Sequence, residues 1–549
     1  MSSSKTVTSA KLFIQCLEAE GVKYIFGVPG EENLALLDEI RQSSIQFIVT
    51  HHEQGAVFMA ATMGRLTGKV GVALSTLGPG ATNLVTGVAY AQLGGMPLLV
   101  ITGQKPIKKS KQGQFQIIDI VRLMEPITKM AKTIVSGDRI PSIVREAVRQ
   151  AESERPGAVH IELPEDIAEE DTDTKSIIPI KMRRPVPDEK VLISALRIIE
   201  NASRPIVLIA AGANRKLIRK QLQMFLENTK IPFVTTQMGK GVIDESSDNY
   251  IGTTSLSADD YVHYALSKAD VIIVIGHDIF EKPPIALNND ICKVIHINFY
   301  PADIDRIYIP THEIVGDISH TLWYFTEKIK INPLWDFHYF FKARDILRKD
   351  IAKFAKSAEF PLRPERIVSD ISKVLPREGI LTLDNGMYKI WIARNFICKE
   401  QNGVLLDNAL ATMGVGLPSG IATKIIYPNK KVLVISGDGG IMMSIAEIET
   451  AVRLKLNLTI LILTDSGFGM VRWKQESMNL SPYGLSFNNP DFVRLAKSFG
   501  AMGHKVAKAD DLALKLKRAF SSKGVHIISC PINYKSANKN LNLIKKVKD

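Results

Sequence analysis

The stretch KVLVISGDGGIMMSIAEIETAVRLKLNLTILILTDSGFGM, residues 431–470, sets two apolar strands on either side of a helical segment. Asp438 closes the first strand and Asp465 the second, 27 positions apart. A strand–helix–strand unit takes about 30 residues, and in open parallel sheets ligands gather beyond the carboxyl ends of the strands. Two carboxylates delivered there suit a hard divalent cation that holds a diphosphate, and Gly437, Gly439 and Gly440 let the backbone come close to it. The pattern predicts one amphipathic helix over IMMSIAEIETAVRLKLN, opened by a turn at Gly439–Gly440, with its first amides toward the phosphates. Taken alone, Gly-Asp-Gly is a common strand-ending turn and Asp465 could be a helix cap, so the reading depends on partners elsewhere in the chain.

The rest of the composition limits the class of protein. The chain has 549 residues, 45% hydrophobic and 23% charged, which predicts an ordinary soluble globular protein with ample core and three or four domains of about 150 residues each. No apolar run reaches the roughly 18 uncharged residues of a membrane span, and MSSSKTVTSAKLF lacks the apolar centre of a signal peptide. Cys16, Cys292, Cys398 and Cys530 are far apart and show no metal-ligand spacing, which predicts reduced thiols and a cytoplasmic protein. The net charge of +12 is spread along the chain, with clusters at Lys108, Lys109 and Lys111 and in a tail bearing Lys535, Lys539, Lys545, Lys546 and Lys548. Without interleaved aromatic residues this reads as a solvated surface and not as a nucleic-acid site. It is compatible with attraction of small anions.

Three α/β blocks follow one another. Strands are expected at YIFGV, IQFIVT, VGVALST, PLLVITG and AVHIEL in residues 1–170, and at RPIVLIAAG, IPFVTT, ADVIIVIG and KVIHINF in residues 190–330. Residues 362–549 contribute GILTLDNG, KVLVISGDGG, LTILILTDSG and GVHIISC. Most are near-continuously apolar, which predicts parallel strands covered on both faces, and so three successive doubly wound parallel-sheet domains. Charged, proline-bearing residues 165–190 read as a linker, and residues 331–361 as a second irregular stretch. The first and third blocks share an outline without a sequence repeat.

Two further segments carry partners for the aspartates. In FIVTHHEQGAVFMAATMGRLTG, Glu53 ends a strand and opens a helix of small residues, with His51 and His52 shaping the turn. A helix-opening Glu is by itself an ordinary dipole contact. In NALATMGVGLPSGIA, Met413 stands ahead of the glycine–aspartate stretch, where an unbranched, polarizable side chain can fill an irregular gap.

With FGVPGEEN, STLGPGATNLVTG, RPGAVHIELPEDI, DNGMYKIWIARNF and the 431–470 stretch, the chain resembles the thiamine-diphosphate enzymes of the acetolactate synthase group over about residues 10–534. The resemblance implies a pyrimidine-binding domain (1–170), a central domain (190–330) and a diphosphate-binding domain (362–549). It implies thiamine diphosphate and Mg²⁺ as cofactors, with Asp438, Asp465 and the Gly467 carbonyl as metal ligands. Gly386, Met387, Tyr388, Ala411, Met413, Gly437, Gly439, Gly440, Phe468, Gly469 and Met470 would contact the cofactor. Met413 would be the wedge between its rings, the Ala411 carbonyl the acceptor of N4′, and Glu53 the hydrogen-bond partner of N1′. Phe115 and Gln116 fall in the substrate region. The implied reaction is decarboxylation of pyruvate and carboligation to a second pyruvate, giving 2-acetolactate and CO₂. A homodimer is the implied minimum, and a homotetramer is expected.

Departures from the family pattern refine this expectation. Asp465 replaces the usual second Asn of the diphosphate motif, and the central block lacks the Arg of flavin-binding synthases near IGHDIFEKP. Both match the flavin-free, catabolic type, so FAD is not expected. Trp473 falls one position early, with Lys474 in the matching place, which argues against selectivity for 2-ketobutyrate. Glu31 stands where pyruvate decarboxylases carry an acid. That keeps a non-oxidative 2-keto acid decarboxylase, or a related thiamine-dependent lyase, as the alternative.

Overall fold

The computed structural model of the chain describes residues 6–108, 113–180, 182–214, 218–254, 256, 261–281, 292–303 and 309–535. Lys109, Lys111, Lys282, Pro283 and the tail lysines Lys539, Lys545, Lys546 and Lys548 lie outside the described residues. The chain forms two compact units. One comprises residues 1–182, 421–427 and 444–454; the other comprises 183–420, 428–443 and 455–549.

The first unit holds a two-stranded antiparallel ribbon, β1 (Val7–Thr8) with β8 (Asp171–Thr172), and a six-stranded parallel sheet. Its strands are β2 (Tyr24–Gly27), β3 (Gln46–Val49), β4 (Gly71–Ser75), β5 (Leu98–Gln104), β6 (Met130–Thr133) and β7 (Ala158–Pro164), in the order β3-β2-β4-β5-β7-β6. Every residue of β4, β5 and β7 is buried. These strands lack polar alternation because both faces of a parallel sheet are covered, and each fully buried Val, Leu or Ile contributes about 1.5–3 kcal/mol.

The second unit contains two more parallel sheets. One is built of β9 (Pro205–Ile209), β10 (Phe233–Thr235), β11 (Tyr250–Thr253), β12 (Val271–Ile275), β13 (Lys293–Asn298) and β14 (His312–Val315), in the order β11-β10-β9-β12-β13-β14. The other is built of β15 (Ile380–Leu383), β16 (Val404–Leu405), β17 (Val432–Gly437), β18 (Leu458–Thr464), β19 (Met502–Lys505) and β20 (Val525–Pro531), in the order β16-β15-β17-β18-β20-β19. Counted within its own block, the third sheet repeats the strand order of the first. The outline shared by these blocks is therefore a shared topology. In the third sheet the order reverses between β15 and β17, and such reversals open the crevice where ligands bind.

Three expectations need correction. The predicted single helix between Asp438 and Asp465 is two, Asp438–Met442 and Glu447–Arg453, parted by turns at 443–446. Ile441, Ile448 and Ala451 are all buried, but Ile441 falls in the second unit and the other two in the first, so the two segments belong to different units. The first helix also starts at Asp438 itself and not after the glycines. The linker 165–190 opens with ordered structure: a short helix Glu165–Ala168, then β8 paired to β1. Residues 331–361 are not irregular throughout, because the helix His338–Lys353 buries Phe340, Ala343 and Leu347 at helical spacing. All four cysteines are buried free thiols, and burial pushes the Cys16 and Cys398 thiols up to about 12.

Candidate active site

In the first unit, β3 runs into the helix Glu53–Thr67 through His51 and His52. His52 caps that helix, its Nδ1 accepting from the Gln54 amide at 3.1 Å. His51 lies 2.8 Å from Glu449 through Nε2. Both histidines thus shape the turn, as the sequence implied. Glu53 is 8% exposed, at the first helical position. Its Oε2 accepts from Asn83 Nδ2 at 2.9 Å, and its Oε1 lies 3.2 Å from where a Cβ on Gly80 would stand. Asn83 ends the helix Pro79–Asn83, which follows Gly78. Gln116, in a left-handed conformation (φ 58°), sets its carbonyl 3.0 Å from the Cβ position of Gly78. The Pro79–Asn83 turn therefore gathers Glu53, Asn83 and the Gln116 backbone, while Phe115 stands 70% exposed beside Gln116.

Glu447, which the sequence reading passed over, holds the Glu53 turn from behind. Its Oε1 accepts from the amides of His51 (3.0 Å) and His52 (3.2 Å), and its Oε2 accepts from Thr450 Oγ1 at 2.7 Å. A Cβ on Gly55 would lie 2.8 Å from that Oε1, so only glycine lets the carboxylate reach the turn. Burial raises its pKa.

In the second unit, three neighbouring strands each deliver an aspartate at the carboxyl end: β15 leads to Asp384, β17 to Asp438 and β18 to Asp465. Asp438 is fully buried. Its Oδ1 accepts from the Gly439 amide at 2.9 Å; its Oδ2 accepts from the amides of Asp465 (3.0 Å) and Ser466 (2.7 Å) and from Asn489 Nδ2 (2.8 Å). The left-handed backbone at Ser466 (φ 56°) aims consecutive amides at one oxygen. Asp465 Oδ2 and Asn489 Oδ1 are buried with no hydrogen-bond partner among the described residues. Arg472 Nη1 lies 3.7 Å from Asp465 Oδ2. Burial, then the neighbouring Asp438 carboxylate, pushes the Asp465 carboxyl up to about 6.

Buried oxygens without hydrogen bonds beside a carboxylate pair fit a divalent cation, which would relieve the repulsion that Arg472 offsets only from 3.7 Å. Mg²⁺ asks for only one or two carboxylates when phosphate oxygens and water complete its shell. The Gly467 carbonyl already accepts from the Gly469 amide at 3.1 Å and would use its second lone pair for a cation. A Cβ on Gly439 would stand 3.0 Å from Phe468 and 3.5 Å from Met413 Cε. A Cβ on Gly469 would stand 3.3 Å from Asp465 Oδ2 and 3.5 Å from Met387. Tyr388 is buried beneath Gly386 and Gly437, and Met470 packs on the core of this sheet. Met387, Met413, Gly439, Asp465, Phe468 and Gly469 thus converge; Ala411, exposed, lies two residues before Met413.

Asn83, Asp384, Glu447 and Asn489 were missed. Asp384 was within reach of sequence reasoning, because LTLDNG repeats the strand–Asp–Gly pattern of the other two strand ends. The other three have no spacing rule to mark them.

Both the folds and these strand-end carboxylates define a class of cofactor enzyme. Family profiles of the thiamine pyrophosphate enzymes match three segments: the N-terminal TPP binding domain at residues 7–123, the central domain at 192–325 and the C-terminal TPP binding domain at 384–530. The chain is 34% identical to the catabolic acetolactate synthase of Raoultella terrigena, over 96% of this chain and 95% of that one. It is 32% identical to the acetolactate synthase of Bacillus subtilis, over 97% and 94%, and 31% identical to a probable acetolactate synthase large subunit of Methanococcus aeolicus, over 97% and 93%. The chain belongs to the thiamine pyrophosphate enzymes, in the acetolactate synthase group.

Proposed function

We propose that the protein is a flavin-free acetolactate synthase, joining two pyruvates with loss of CO₂. The observation that carries the reading is the second-unit cluster, where Asp438 and Asp465 meet and the buried Asp465 Oδ2 and Asn489 Oδ1 accept no hydrogen bond among the described residues. Asp438, Asp465 and the Gly467 carbonyl would hold Mg²⁺, and Gly437, Gly439 and Gly440 would admit the diphosphate. Met413 would wedge the bound rings apart, and the Ala411 carbonyl would accept from N4′. When bound, thiamine diphosphate supplies the carbon nucleophile and the electron sink that decarboxylation of a 2-keto acid requires. Glu53, with Oε2 held by Asn83, would hold and return a proton at N1′. Gln116 would orient the keto acid.

The absence of FAD is part of the reading and has a specific support. The central sheet reverses order between β9 and β12, and there the chain supplies its own acid: Glu281 Oε1 accepts from the amides of Ala211 (2.8 Å) and Asp278 (3.3 Å), and Oε2 accepts from Thr236 Oγ1. Those strand-end amides are the donors a dinucleotide phosphate would use. Trp473 packs on the core of the third sheet and Lys474 is exposed, which agrees with pyruvate over 2-ketobutyrate as acceptor. No helix among the described residues is long and apolar enough to cross a membrane. A cytoplasmic homodimer, with a homotetramer as the fuller assembly, completes the proposal.

Incubation with pyruvate, Mg²⁺ and thiamine diphosphate tests it. 2-Acetolactate, converted to acetoin by acid, is expected; acetaldehyde alone would make the protein a decarboxylase and overturn the proposal.

A further inference from the structure

The segment 407–414, which carries Ala411 and Met413, has little regular structure of its own, yet one short stretch of chain anchors it at three points. That stretch is 384–389, the turn beyond β15 and the first residues of the helix Tyr388–Asn395. Asp384 Oδ1 accepts from the Gly414 amide at 2.8 Å, and its Oδ2 accepts from Ser436 Oγ at 2.9 Å, one residue before Gly437. Asn385 Nδ2 donates to the Thr412 carbonyl. Lys389 Nζ donates to Asn385 Oδ1 and, at 3.1 Å, to the Asp407 carbonyl. Asp407 in turn closes the segment on itself, its Oδ1 accepting from the amides of Ala409 (2.9 Å) and Leu410 (3.3 Å).

Lys389 is 9% exposed. Burying an ammonium costs several kcal/mol unless its donors are met, so a lysine used merely to fill space here would be a poor choice. A buried Lys that spans two anchor points is a clamp. Its base is rigid: Tyr388 is buried beneath β17, and Trp391 is buried against Tyr534 at 5.8 Å between ring centroids.

We propose that Lys389, acting through Asn385 and together with Asp384, is a positioning residue that fixes where Met413 and the Ala411 carbonyl stand before any ligand arrives. The inference rests on the reading that these two residues face the cofactor. The clamp itself is a property of the chain alone and can be tested without ligand.

Hydrogen exchange on the cofactor-free full-length protein provides that test. In Lys389→Met the amides of 409–414 should exchange about tenfold faster, the scale of one lost hydrogen bond from a charged donor, while those of β15 and β17 are unchanged. Asn385→Ala, which removes the link to Thr412 without touching the buried cation, should act in the same direction. Lys389→Arg should restore most of the protection. In the holoenzyme, Lys389→Met should weaken thiamine diphosphate binding about tenfold and lower kcat with little change in the KM for pyruvate. Unchanged exchange over 409–414 in both Lys389→Met and Asn385→Ala, or an Arg variant as loose as the Met variant, would overturn the clamp. If the wild-type protein forms no acetolactate but the exchange response appears, the clamp stands and the functional reading fails. If acetolactate forms and exchange does not respond, the reverse holds.

Discussion

The proposed proton-transfer role of Glu53 rests on how its side chain is held. It is buried at a helix start, one oxygen is held by Asn83, and the turn beneath it is held by Glu447. A general acid or base placed this way contributes about 10²–10⁴ in rate. Glu53→Gln keeps the size and the Asn83 contact but cannot exchange a proton. It should slow C2 proton exchange in bound thiamine diphosphate by at least about a hundredfold, as followed by NMR after timed exchange in deuterated solvent and an acid quench. An unchanged rate would remove Glu53 from this role. At this scale much was legible: Glu53, Asp438 and Asp465 stand out as charged residues at the ends of apolar strands. Asn83, Glu447 and Asn489 do not stand out, because a hydrogen bond across 30 to 396 residues leaves no local pattern.

Among the elements, the Gly-Asp-Gly-Gly stretch that opens the helix Asp438–Met442 does the most with the least space. Gly440 faces Asp384, with a built Cβ only 2.7 Å from Oδ2 and 3.1 Å from Ser436 Oγ. Asp384 cannot swing aside, because the amides of Asn385 and Gly414 and the Ser436 hydroxyl hold it. Gly440→Ala should therefore cost about 1–3 kcal/mol of overpacking, seen as a lower thermal midpoint of the cofactor-free protein together with weakened retention of thiamine diphosphate. Retained midpoint and binding would mean that this helix start shifts freely. Interior strands were legible as elements because burial on both faces leaves an unbroken apolar run. The edge strands β6, β14 and β19 escaped notice because each is short and half-polar where one flank meets solvent, and the edge strands β11 and β16 escaped it because each is short, though buried. The helix pair 438–442 and 447–453 read as one helix because the apolar spacing continues across the break.

For the whole molecule, pH should act through the central sheet. Burial pushes the Glu281 carboxyl from 4.5 up to about 8. The folded chain therefore keeps this proton up to about pH 8, whereas the unfolded chain releases it above about 4.5. Stability from the neutral form is fully present below 4.5 and is lost as pH rises through 8. Glu281→Gln, neutral at every pH, should flatten that loss: its thermal midpoint should match the wild type near pH 5 and exceed it near pH 8.5. Parallel slopes in the two proteins would assign the pH dependence to other groups. The sequence by itself determined three parallel-sheet blocks, the catalytic family and the strand-end carboxylates, because apolar runs and strand-ending Asp and Glu residues are local signals of burial and of ligand chemistry. Only the tertiary structure decided the strand order shared by the first and third sheets, the contacts of Glu281 with the amides of Ala211 and Asp278, and the three anchors that Asp384, Asn385 and Lys389 place on the 407–414 segment. The first depends on which strands pair, and the other two on which distant backbone amides and carbonyls come within 3 Å or so of a side chain; both are settled by packing and not by order along the chain.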